Sequence, residues 1–167
     1  MRKIIHIGIL IQLASFHGDA VSCDAGDAWV VVDGNGTMGE DWRRQSETGF
    51  RSTYLDINGD GAADQASMVI SSDSARSAIK ICFGSKTPGT LADCEIVGEG
   101  DNVSAVMGLE RRPAGCYEFY EDDLGSRIDG RVCTKHDVLG YFRFGSAASF
   151  FIYDEKHGNF NRYWDSR

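Results

Sequence analysis

Short apolar, aromatic and β-branched runs dominate this chain from Trp29 to Trp164, with clusters of Gly, Asp, Asn and Ser between them. They cover Trp29 to Val32, Gln65 to Ile70, Ala78 to Phe83, Glu95 to Val97, Cys116 to Tyr120, Val138 to Phe144, Ser149 to Tyr153 and Phe160 to Trp164. Side chains of this kind suit a pleated, half-buried surface, and the Gly and Asx clusters supply the backbone reversals between them. The expected fold is therefore mostly β, a single antiparallel β domain built as a sandwich or curled sheet, with long loops and little helix. Its clearest unit is the last. Ser149 to Tyr153, a polar turn from Asp154 to Gly158, and Asn159 to Trp164 make a hairpin, whose aromatic density reads as core and cross-strand packing. Helical signals are confined to Ser74 to Ala78 and Gly39 to Gln45, a turn or two each. No internal repeat is visible, which argues against a bladed propeller.

One loop carries chemistry. Residues Asp56 to Asp64 read D-I-N-G-D-G-A-A-D. Asp56, Asn58, Asp60 and Asp64 place oxygen-bearing side chains around a turn that Gly59 and Gly61 keep open, and Ala62 adds a backbone carbonyl at the seventh position. Calcium takes about six to eight such oxygens, and Gly at the sixth position permits the sharp bend. The helix-loop-helix form of the motif closes with a Glu at the twelfth position; here that position is Ser67. Closure by Asp64, followed at once by a strand-like run, instead resembles the calcium hairpin of the FG-GAP/VCBS group of extracellular repeats, over about Tyr54 to Ile70. The resemblance implies calcium held by Asp56, Asn58, Asp60, Ala62 and Asp64. The alternative is a plain turn, because Asx side chains also bond the local backbone and Gly supplies positive φ.

The N-terminal segment and the cysteines point to export. Arg2 and Lys3, the apolar run Ile4 to Phe16, and small residues at Gly18, Ala20 and Ser22 read as a secretory signal peptide over residues 1–22, leaving one domain over 23–167. Cleavage after Ala20 or after Ser22 fits. In the second case Cys23 is the first residue, and Ala20-Val21-Ser22-Cys23 resembles a bacterial lipobox, which implies lipidation at Cys23; Ala20 stands where that pattern has Leu. Five Cys in a chain bound for an oxidising compartment imply disulfides. With Cys23 set apart, Cys82, Cys94, Cys116 and Cys133 can pair in three ways, and Cys82 with Cys94 and Cys116 with Cys133 need the least topology. The calcium-type loop, the turn Pro88-Gly89-Thr90, the segment Pro113 to Tyr117 and the closing hairpin together resemble small exported bacterial proteins of uncharacterised function.

Composition narrows the function classes. A formal net charge of −8 repels phosphate backbones, so nucleic acid is excluded as an expected ligand and a cationic protein partner is favoured. The absence of any C-x-x-C disfavours zinc and thioredoxin-like chemistry, and no nucleophile elbow, Walker loop or dinucleotide fingerprint is present. His136 and His157 are the histidines that remain beyond the leader; His157 reads as a turn residue, and His136 and Asp137 point apart on extended backbone. The expected function is an exported calcium-binding module that acts by binding, as a periplasmic immunity or inhibitor protein against a secreted toxin would. The alternative is a secreted hydrolase of cell-wall or surface glycan that draws its acid and base from Glu118, Glu121, Asp122 and Asp123.

Overall fold

A computed structural model describes residues 28–32, 41–85, 87, 91–123 and 126–165, with side chains described at all of these except 92, 121–123 and 126–129. The leader, Cys23 and the Pro88 to Thr90 turn lie outside the described residues.

The first sheet contains β1 (Trp29–Val31), β2 (Ser52–Leu55), β3 (Asp64–Ser71), β4 (Arg76–Gly84) and β5 (Leu91–Asp101). β1 and β2 lie end to end along the same edge of β3, which pairs with β4, which pairs with β5. The second sheet contains β6 (Met107–Arg112), β7 (Gly115–Asp123), β8 (Ser126–Thr134), β9 (Val138–Arg143), β10 (Ala148–Asp154) and β11 (Asn159–Asp165), in the order β6-β9-β10-β11-β7-β8. All pairings are antiparallel. Among the described residues one 3-10 helix, Asp41–Gln45, precedes β2.

The sheets pack as a sandwich because alternate residues of each form one shared apolar layer. Ala66 and Met68 of β3 stand opposite Ile81 and Ile79 of β4 and meet Leu109, Leu139, Tyr141 and Phe151 of the second sheet. Leu55 and Ile57, on either side of Asp56, are buried in the same layer. The other face of the second sheet holds a smaller cluster of Tyr117, Val138 and Phe150, backed by Phe119 and Tyr163. There Arg112 crosses from β6 to bond Glu110 and Asp165, each within 2.8 Å. Arg43, only 6% exposed, donates to the carbonyls of Gly49, Ser104, Ala105 and Met107, tying the 3-10 helix to the turn before β6.

The mostly β antiparallel expectation holds, and the closing hairpin pairs in full from Ser149 with Trp164 to Asp154 with Asn159. Some element boundaries differ. Ser74 to Ala78 is no helix: Ser71 to Ala75 turn the chain and β4 starts at Arg76. β2 escapes the sequence pattern because it is only four residues long, and β6 and β8 because their strands are polar or charged, as in Met107-Gly108-Leu109-Glu110-Arg111-Arg112. Disulfides join Cys82 to Cys94 and Cys116 to Cys133, each directly across an antiparallel strand pair.

Candidate functional site

The Asp56 to Asp64 loop joins β2 to β3 and is folded by its own side chains. Asn58 Oδ1 accepts the Asp60 N–H at 3.1 Å, Asp60 Oδ1 accepts the Ala62 N–H at 2.7 Å, and Asp56 Oδ2 accepts the Gly61 N–H at 3.1 Å. Gly59 and Gly61 adopt φ of 75° and 81°, the left-handed region that side chains disfavour. At Gly59 the constraint is double, because a Cβ would overlap the His136 ring.

Asp64 is fully buried at the end of this turn. Its Oδ2 accepts the Ile57 N–H at 2.8 Å, and its Oδ1 accepts the Gly84 N–H at 2.7 Å, so one carboxylate straps the start of the loop and the end of β4 together. Burial raises its pKa; the Gly84 and Ile57 N–H groups oppose this, and the Asp60 charge adds to it. Gly84 lets the chain pass close to the loop, because a Cβ there would strike the Ala63 carbonyl.

Asp137, next to the start of β9, is the residue that sequence reasoning missed. Its Oδ2 accepts the Asp56 N–H at 2.9 Å and pairs with Arg111 Nε at 2.8 Å, while its own N–H donates to the Asp56 carbonyl at 3.0 Å. This reciprocal pair fixes a loop of the first sheet to a loop of the second. His136, packed on Gly59, holds Glu155 of the β10 to β11 turn at 2.5 Å through Nε2. Three connections therefore converge on one end of the sandwich. The only signal for this in the sequence was an Asp beside a strand start, which is too common to single out.

A cation's fit to this loop can be judged from Asp56. Its Oδ1 is buried and has no hydrogen-bond partner, while Oδ2 is satisfied by Gly61. An orphaned buried carboxylate oxygen is costly, and a bound ion is one of the explanations such an atom calls for. Asn58, Asp60 and the Ala62 carbonyl lie on the same turn and keep further lone pairs, since each acceptor oxygen has two. As the side chains stand, no three His, Cys, Asp or Glu among the described residues gather closely enough to hold a metal, and both oxygens of Asp64 are turned to backbone N–H groups.

Of the acidic group on β7, Glu118 alone has a described side chain. Glu118 is exposed and stands across from Arg131 of β8; the side chains of Glu121, Asp122 and Asp123 lie outside the described residues. His157 bonds Asp154 at 2.6 Å within its turn, which lowers the Asp154 pKa together with backbone N–H groups of the same turn. No helix among the described residues is long and apolar enough to cross a membrane. No protein-family model, no curated protein and no solved structure matches this chain.

Proposed function

We propose that this protein is an exported calcium-binding β module that acts by binding a protein partner, with the Asp56 to Asp64 loop as its metal site. The observation that carries the reading is the buried, unpartnered Oδ1 of Asp56, in a loop whose remaining oxygens come from Asn58, Asp60, Ala62 and Asp64. Asp56, Asp60 and Asp64 concentrate negative charge in one turn, and a divalent cation would offset both their repulsion and the burial of Asp64. Two disulfides accord with an oxidising compartment. The net charge of −8 would speed association with a basic target, as an immunity or inhibitor protein against a secreted toxin requires. Because Asp56 is locked to Asp137, calcium would brace both sheets at this end.

Thermal unfolding of the disulfide-intact domain in calcium and then in chelator tests the metal site. Calcium at a hundredfold excess over Kd is expected to add about 2.7 kcal/mol of stability, and Asp60→Ala is expected to abolish the gain while leaving the metal-free fold intact. Equal midpoints in calcium and chelator for the wild type would return the loop to a plain turn.

A further inference from the structure

At the end of the sandwich opposite the calcium-type loop the sheets part around a cavity of about 320 Å³. Its position follows from chain direction. β9 and β11 run away from the Asp137 and Glu155 end and finish at Arg143 and Asp165, while β5 finishes there at Asp101. One wall is Gly98 to Asp101 of β5, where a register shift in the β4 to β5 ladder inserts a bulge with Gly98 at φ 64°. Gly100 has no atom within 4 Å of where a Cβ would stand, so this wall leaves space where a strand would ordinarily fill it. Bulges of this kind are over-represented beside binding sites.

The other wall is the inward face of the second sheet, and it breaks the apolar pattern. Arg162 stands opposite Phe151, and Trp164 opposite Ser149, on the face that elsewhere buries Tyr141, Phe151 and Phe160. The Arg162 guanidinium lies 4.6 Å from the centroid of the Trp164 ring and 5.4 Å from that of Tyr141, and its Nε donates to Ser149 Oγ at 3.1 Å. No carboxylate among the described residues pairs with it. The adjacent Asp165 projects from the opposite face and is held by Arg112. Arg162 is an exposed residue whose partial desolvation lowers its pKa, with Tyr141 opposing the shift. Glu99, on the facing wall, is taken by Arg76, and Arg143 and Asp101 add one positive and one negative charge to the lining.

We propose that this cleft binds an organic carboxylate borne on an apolar or aromatic body, with the carboxylate on the Nη edge of Arg162 and the body between Trp164 and the Gly98 to Gly100 wall. Guanidinium presents a planar fork that matches a carboxylate bidentately, and its stacking on Trp164 holds that fork in one orientation. Trp164 is 41% exposed, an apolar surface open to a ligand, and Met107 and Val103 supply the apolar remainder. The cavity lies at the small end of the range for ligand sites, so one residue-sized group fills it. Such a group comes from a free small acid or from the C-terminal residue of a peptide. The inference is independent of calcium.

Isothermal titration in chelator with N-acetyl-phenylalanine, its carboxamide, and a glycine-rich tetrapeptide ending in phenylalanine tests this. At least one of the two carboxylate probes is expected to bind saturably, and at least about tenfold more tightly than the carboxamide, the loss that follows from removing one charged hydrogen-bond partner. Binding of the free acid identifies a small-molecule source, and binding of the peptide alone identifies a chain end. Arg162→Gln is expected to weaken binding at least about tenfold. Gly100→Leu, which leaves Arg162 in place and fills the cleft, is expected to block it, with thermal unfolding confirming that each variant folds. Failure of both carboxylates to bind, equal binding of the carboxamide, or unchanged binding in folded Gly100→Leu would overturn the site.

Discussion

Asp137 shows how much one side chain can hold. Its carboxylate is 9% exposed and receives the Asp56 N–H and Arg111 Nε. Asp137→Ala leaves the Asp56 N–H without its acceptor and is expected to cost about 1–3 kcal/mol, read as a lowered denaturation midpoint, with weaker calcium response because the loop loses its brace. Asp73 offers a test of charge in place of burial. Its carboxylate accepts the Ser71 hydroxyl and, at 3.0 Å, the Ala75 N–H, which hold its pKa below the usual value, the Ser71 bond contributing most. A lowered folded pKa means stability that is present above the unfolded value near 3.8 and is lost as pH falls through the folded value. Asp73→Asn is therefore expected to lower the midpoint at neutral pH, and the difference from wild type is expected to close on acidification below pH 3.8. A difference that stays constant down to the acid limit would remove ionisation from the account.

At the scale of elements, the β7 to β8 hairpin joins the rest of its sheet through β7 alone. β7 meets β11 at Trp164 with Tyr120 and Asp165 with Phe119, whereas β3 and β4 are central, paired on both sides. The Cys116–Cys133 disulfide, spanning a sequence separation of 17, limits the freedom of that hairpin in the open chain and contributes about 3 kcal/mol in the chain-entropy account. Replacing both cysteines with serine is expected to abolish hydrogen-exchange protection in β7 and β8 while β3 and β4 keep theirs. Loss of protection throughout would mean that the hairpin and the sandwich open together. The polar strands β6 and β8 explain why the sequence pattern left them out. Arg111 and Arg112 of β6 read as a charged loop, yet Arg111 serves Asp137 and Arg112 serves Glu110 and Asp165.

Across the whole molecule, the sheets are joined by their shared apolar layer and differ in chemistry at their two ends. Polar bonds through Asp56, Asp137, His136 and Glu155 close one end, and the other stays open around Arg162 and Trp164. Calcium at the closed end would act on both sheets, so its expected effect is a shift of the single unfolding transition, with no separate loop melting. The short apolar runs, the Asx and Gly spacing of residues 56–64 and the terminal aromatic hairpin were legible in the sequence, because each depends on residues close together in the chain. The two disulfide pairings were legible as the ones that close the shortest loops. Tertiary structure alone decided that Asp137 meets Asp56 across 81 residues, that Asp56 Oδ1 is buried without a partner, and that Arg162 lines a cleft with no described carboxylate in ion-pair contact. The physical reason is that periodicity and turn chemistry are set by neighbours along the chain, whereas burial and partnership are set by which strands of two different sheets come to lie against each other.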